Sequence, residues 1–188
     1  MITDMDAFKE HVDCVHRCTR CDLNATCETK MVAGGNPKGH ILIVMDAPRP
    51  EEVQHKRPLC YEDGLYLQSA MIQAKFEHGD CFITYCVCCT LPEARQLKVE
   101  ECGECFTHLW KTITCFNPRL ILTVGQTATG ILCKSQKSIS SLQGVLHKIG
   151  PYKVLPISHP CYMRTKGTRL QVKNYVQTLT MARKSVFA

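Results

Sequence analysis

The sequence predicts an α/β fold, namely a three-layer αβα sandwich around a central, mainly parallel four-stranded sheet. Two observations support this prediction. Four short apolar or β-branched segments have the length of strands, and segments with helical periodicity lie between them. Strands that alternate with helices form parallel sheets whose two faces the helices cover. The chain has 188 residues, of which 45% are hydrophobic, so we expect one domain, spanning residues 1–188, with a buried core.

The chain is expected to begin with an amphipathic helix. Thr3 and Asp6 have the spacing of a capping box, and Phe8, Val12 and Val15 then recur at helical intervals. A cysteine-rich loop follows this helix.

A strand, a helix and a second strand are predicted next. Residues 40–45 form an almost continuous apolar run, which is typical of a strand buried on both faces. Residues 64–76 have helical periodicity, and residues 81–87 are again strand-like. This order indicates a βαβ unit.

The second half of the chain repeats the alternation. Residues 99–116 predict a helix, 120–124 a strand, 125–132 a shorter helix, 152–157 the last strand, and about 168–183 the final helix. Loops that carry Asp46, Cys88 and His159 all follow predicted strands, so they should meet at the carboxyl edge of the sheet. That edge is where open parallel sheets bind ligands.

Composition limits the functional classes. Lys and Arg outnumber Asp and Glu by 23 to 17, and the net charge of +6 favours an anionic partner. Fourteen cysteines occur in a chain whose first residues have no basic-then-apolar signal pattern. We therefore expect the cytoplasm or another reducing intracellular compartment, and not secretion. No apolar run approaches the roughly 20 residues that cross a bilayer, so no membrane association is expected.

The spacing of four cysteines suggests a metal site. Cys18 and Cys21 form a C-x2-C pair, which in a reducing compartment indicates metal binding or thioredoxin-type redox chemistry. From spacing alone, Cys102 and Cys105 could complete a four-thiolate zinc site. Most of the other cysteines have the pattern of small buried hydrophobes.

A set of short motifs resembles the iron-sulfur uracil-DNA glycosylases, family 4 of the uracil-DNA glycosylase superfamily. The resemblance covers roughly residues 14–180. In the first half it is carried by Cys18-x2-Cys21-x-Leu23, Gly35-Asn36, Ile41-Leu42-Ile43-Val44, Ala47-Pro48, Arg57-Pro58 and Gly64. In the second half it is carried by Phe82-Ile83, Val87-x-Cys89, Pro92, Arg95, Glu100, Cys105, Asn117-Pro118, Gly125-x-x-Ala128 and the segment from Val154 to Arg164.

The resemblance implies a four-iron four-sulfur cluster. Its four ligands fall on Cys18, Cys21, Cys89 and Cys105. Four thiolates suit such a cluster by softness and charge. The resemblance thus favours Cys89 over Cys102, and iron-sulfur over zinc.

The resemblance also implies two catalytic residues. Asp46 falls where the family has a carboxylate that positions the water attacking the sugar, and His159 falls where a histidine donates toward the charge that develops on the base. Ala47, Pro48 and Pro160 are the implied substrate-binding neighbours of these two residues.

Two positions depart from the family pattern. The aromatic residue that stacks on the base in the family falls on Leu59, and the asparagine that reads the uracil edge falls on Tyr85. A site that loses its hydrogen-bonding amide loses much of its selectivity. We therefore expect weak uracil excision, or none.

DNA, single-stranded or duplex, is the expected partner. Several basic residues are predicted at one rim of the sheet, where they could meet phosphates: Arg49, Arg164, Lys166 and Arg169. Two functional hypotheses remain at this point. The first is a divergent glycosylase that excises uracil or another modified base. The second is a catalytically impaired DNA-binding or replication accessory protein that works with replication or repair proteins. A third, electron transfer, has no partner motif to support it.

Overall fold

The computed structural model describes residues 2, 4–77 and 79–187 of the chain, without the side chain of Ala94. In this part of the chain, six strands form one sheet: β1 (Ala33–Gly35), β2 (Ile41–Met45), β3 (Cys81–Tyr85), β4 (Leu120–Val124), β5 (His147–Ile149) and β6 (Tyr152–Ile157). The α-helices described are α1 (Met5–His16), α2 (Pro50–His55), α3 (Glu62–Gln73), α4 (Val99–Phe116), α5 (Gly125–Cys133), α6 (Ile139–Leu142), α7 (Pro160–Lys166) and α8 (Arg169–Phe187). Short 3-10 helices lie at Asp22–Ala25 and Pro92–Ala94.

The sheet confirms the α/β class and corrects the number of strands. Its order is β1-β3-β2-β4-β6-β5, and the four inner strands are parallel. These four are the predicted strands. At the two edges, β1 and β5 pair antiparallel with β3 and β6. Each edge strand has only three residues, too few for an alternation to be recognised in the sequence.

Helices cover both faces of the sheet, as the continuous apolar strands require. Along β2, Ile43 points into one core with Leu67 of α3 and Leu179 of α8. Its neighbour Val44 points into a second core with Leu109 of α4. Successive strand residues face opposite sides, so a strand buried on both faces must be apolar at every position.

The first helix begins near the predicted place but uses a different cap. Asp4 is its N-cap, and the Asp4 carboxylate accepts hydrogen bonds from the backbone N–H groups of Asp6 and Ala7. Thr3, the residue predicted for this role, lies outside the described residues. The helix packs against α4, where His11 Nε2 lies 3.0 Å from Thr112 Oγ1.

Two further features concern the whole chain. None of the fourteen cysteines, all of which are described, takes part in a disulfide. Among the helices described, none combines the length and the apolar character that crossing a membrane would require.

Candidate active site and cysteine cleft

A cavity of about 680 Å³ lies at the carboxyl edge of the sheet. Five segments contribute to its wall: the loop after β2, the loop before α3, the loop after β3, the start of α5 after β4, and the loop after β6. The lining residues are Met45, Asp46, Ala47, Pro48, Arg49, Pro50, Tyr61, Leu91, Glu93, Arg95, Gln96, Leu97, Gln126, Thr127 and His159. The volume is within the range of small-ligand sites. The structure thus brings Asp46 and His159 to one cavity, together with Ala47, Pro48 and Arg49.

Asp46 is held at the amino-terminal end of α5. Its Oδ1 accepts a hydrogen bond of 3.2 Å from the backbone N–H of Ala128. Burial raises the pKa of Asp46 to about 6, although hydrogen bonds from Ala128 and Thr127 and the charge of Arg49 act in the opposite direction. The group is therefore mainly a carboxylate at neutral pH, and it can accept a proton at modest cost.

His159 is fixed in one tautomer by its own helix cap. The backbone N–H of Cys161 donates to His159 Nδ1 at 3.2 Å, which leaves the ring proton on Nε2. Burial lowers the pKa of His159, against the opposing effect of Asp63. The ring is therefore a neutral hydrogen-bond donor at neutral pH.

Gly125 packs against His159 and has φ +88°, a backbone conformation that favours glycine. A Cβ added there would be in van der Waals contact with His159, at 3.4 Å from Cβ and Cδ2. Pro160, another predicted substrate-binding residue, is buried in the first turn of α7 and is not among the lining residues.

The structure places Leu59 and Tyr85 outside this cavity. Leu59 is buried with φ +58°, and it lines a separate cavity of about 350 Å³. Tyr85 is fully buried in the core, and its hydroxyl lies 3.7 Å from Met31 Sδ. Neither residue is among those that line the cavity of Asp46 and His159.

Two residues at this site were missed by the sequence reasoning. The carboxylate of Glu52, which is fully buried, accepts hydrogen bonds from the backbone N–H groups of Arg49 at 2.8 Å and Leu59 at 2.5 Å. It ties together the two loops that precede α2 and α3. Tyr61 lines the cavity, and the Arg49 guanidinium lies 5.6 Å from its ring centroid. The sequence signal for Tyr61 was an aromatic residue just before a predicted helix.

Besides Arg49, which lines the cavity, the predicted DNA-binding cations fall into two groups. Arg164 is engaged by two carboxylates, because its Nε lies 2.9 Å from Asp63 and its Nη1 lies 2.9 Å from Glu62. These ion pairs join α7 to α3. Lys166 and Arg169 are exposed, and neither forms an ion pair with any residue that the structure describes.

A second cleft collects the predicted cluster ligands. Cysteines from the loop after α1, the loop after β3 and helix α4 line it: Cys18, Cys21, Cys88, Cys89 and Cys105. Cys102, the partner that spacing alone suggested for zinc, is not among the lining residues, although it is buried.

The cleft is not arranged as a site for a single metal ion. In the described part of the chain, no three His, Cys, Asp or Glu residues lie close enough together to hold one. Thiolates are ligands of both zinc and iron-sulfur clusters, so the cysteine lining of the cleft is compatible in chemistry with either group.

One residue of this cleft has a polar atom without a partner. His108 lines the cleft and is 7% exposed, and its Nε2 has no hydrogen-bond partner among the described residues. Arg20 also lines the cleft and donates to Thr107 Oγ1 at 2.8 Å. A buried ring nitrogen is rarely left without a partner, so this nitrogen is available to an acceptor that is not part of the chain, such as the sulfide of a cluster.

Comparison with known proteins assigns the chain to a family. The model of the uracil DNA glycosylase superfamily matches residues 33–180, and the chain belongs to this superfamily. The resemblance identified from the motifs is thereby confirmed.

Individual relatives agree with this assignment. The chain is 30% identical over 160 residues to the type-4 uracil-DNA glycosylase of Thermotoga maritima, covering 84% of this chain and 83% of the relative. It is 28% identical over 165 residues to the protein of the same name from Saccharolobus solfataricus, covering 83% of this chain and 76% of the relative. It is also 26% identical over 131 residues to a DNA polymerase of Bacillus phage SP01, covering 69% of this chain and 14% of the polymerase.

Proposed function

We propose that this protein is a DNA glycosylase that hydrolyses the N-glycosidic bond of a nucleotide extruded from DNA. The observation that carries the proposal is the presence of Asp46 and His159 in one cavity at the carboxyl edge of the sheet. Relatives named as type-4 uracil-DNA glycosylases, similar over most of their length, support the reaction class.

The two residues divide the reaction between them. The carboxylate of Asp46 orients a water molecule and accepts its proton as the oxygen bonds to C1′ of the sugar. The C1′–N bond breaks, and the electron pair leaves with the base. The Nε2–H group of neutral His159 donates a hydrogen bond to a carbonyl oxygen of the departing base, where negative charge develops.

We also propose that Cys18, Cys21, Cys89 and Cys105 hold a four-iron four-sulfur cluster. When bound, the cluster supplies cross-links between three chain segments rather than a reacting group. Residues 91–97 between Cys89 and Cys105 include five that line the wall of the active cavity: Leu91, Glu93, Arg95, Gln96 and Leu97. The cysteines therefore anchor both ends of one wall of the site.

A second candidate is a DNA-binding accessory protein without catalysis. The similarity to part of a phage DNA polymerase favours it, since that protein carries the matched segment within a replication enzyme. The positions of Leu59 and Tyr85 outside the cavity favour it too, because the residues implied by the resemblance to bind the base are not at the site.

Glycosylase assays with active-site variants separate the two candidates. Single-stranded and duplex oligonucleotides that each carry one modified base are incubated with the protein, and abasic sites are revealed by alkaline cleavage. We expect cleavage of at least one modified base that is lost in both Asp46→Asn and His159→Ala. Asp13→Asn, the same change at an exposed carboxylate, is the control. DNA binding without cleavage of any base would establish the accessory function instead.

A further inference from the structure

We propose that Tyr61 is the surface on which the extruded base stacks. The proposal deepens the function proposed above and rests on it, because it takes the cavity of Asp46 and His159 as the nucleotide site. Tyr61 is the one aromatic side chain among the described residues that line this cavity, apart from the imidazole of His159.

The backbone of the loop before α3 explains why Tyr61, and not Leu59, faces the cavity. Leu59 adopts a left-handed conformation with φ +58°. A Cβ at Gly64 would lie 2.5 Å from Leu59 Cα, so only glycine permits this close approach of helix and loop. The loop sends Leu59 to the separate cavity of 350 Å³ and brings Tyr61, the N-cap residue of α3, to the active cavity.

Arg49 supports the Tyr61 ring. Its guanidinium lies 5.6 Å from the ring centroid, a cation–π contact, and both residues line the cavity. The two residues are fixed relative to each other, because Glu52 binds the backbone N–H of Arg49 and that of Leu59 in the loop before Tyr61. A ring held in this way is a rigid surface on which a base can stack.

The amide of Gln126, which also lines the cavity, is not free to hold the edge of a base. Its Nε2 donates to Lys137 O at 3.0 Å, and its Oε1 accepts from the Ile139 N–H at 2.7 Å. A stacking contact does not depend on the identity of the base, because every base has a π-face.

The test compares DNA with and without a base at the flipped position. Affinities are measured at one salt concentration for duplexes that carry an unpaired 2-aminopurine, uracil or hypoxanthine on a 2′-fluoro sugar, which resists hydrolysis, and for a tetrahydrofuran abasic duplex. Loss of one stacking contact corresponds to about 5- to 150-fold in affinity. Tyr61→Leu should show this loss on all three bases and leave the abasic duplex unchanged.

Two variants keep the result interpretable. Tyr61→Phe retains the ring and should bind like the parent protein, and Tyr162→Leu makes the same change at an exposed tyrosine outside the cavity. An equal loss on base-containing and abasic DNA would overturn the proposal, as would unchanged binding in Tyr61→Leu or a loss confined to uracil. Because these affinities need no bond cleavage, they test the stacking platform even if the glycosylase assays favour the accessory function.

Discussion

Replacing Asp46 by asparagine should stabilise the protein while it removes activity. Burial raises the pKa of Asp46 from 3.8 to about 6, so folding places a carboxylate where the charged form is unfavourable. A shift of about 2 pH units corresponds to about 3 kcal/mol at 1.36 kcal/mol per unit. Asparagine has the same shape and keeps an oxygen for the Ala128 N–H, but it carries no charge.

The size of the effect depends on pH, whereas its sign does not. Well below pH 3.8 the carboxyl group is protonated in both the folded and the unfolded chain, so the charge costs nothing there. Between the unfolded pKa of 3.8 and the folded pKa of about 6, the cost grows as pH rises, and above that range it is complete. Asp46→Asn should therefore be more stable by about 3 kcal/mol at pH 7 to 8, with the difference falling below about 1 kcal/mol at pH 4.

Urea unfolding followed by pulse proteolysis measures this difference. The parent protein and Asp46→Asn are compared from pH 4 to pH 8, and the difference in free energy of unfolding is plotted against pH. Buried Glu52 also has a raised pKa through burial, but it is present in both proteins and cancels. Asp13→Asn, at an exposed carboxylate, should give a flat line. A variant that is less stable than the parent at pH 7, or a difference that does not change with pH, would refute the reasoning.

The remaining predictions concern the cluster and the DNA surface. Anaerobically purified protein should be brown with about four iron and four sulfide per chain. Cys89→Ser should lose both iron and sulfide and become protease-sensitive, whereas Cys102→Ser should keep them. Stoichiometric zinc without sulfide would contradict the assignment. His108→Phe should leave the iron content unchanged and lower the midpoint potential of the cluster in voltammetry, because a hydrogen-bond donor to the cluster is lost. An unchanged potential would mean that His108 Nε2 donates no hydrogen bond to the cluster. Changing Lys166 and Arg169 together to alanine should weaken DNA binding and reduce the slope of log affinity against log salt by about 2, and an unchanged slope would show that these exposed cations do not meet phosphates.

Much of the fold could be predicted from the sequence because its strongest signal is local. The parallel strands are continuous apolar runs, and the strand predicted at residues 40–45 ends where the pattern predicts and begins one residue later, at Ile41. The positions of Asp46 and His159 also followed from a simple rule, since parallel strands deliver their following loops to one edge. The edge strand Ala33–Gly35 gave no such signal, because a three-residue segment with two glycines has the composition of a turn.

The parts of the site that could not be predicted depend on contacts between distant segments. Arg164 was expected to meet DNA, but it pairs with Glu62 and Asp63, which lie about a hundred positions earlier in the chain. The exchange of Leu59 for Tyr61 at the cavity has the same origin. A motif comparison assigns a role to a position, whereas the left-handed turn at Leu59 decides which side chain reaches the cavity. The motif position of the aromatic residue is occupied by Leu59, and the site nevertheless has an aromatic side chain. Tyr61 supplies it from two residues later in the same loop.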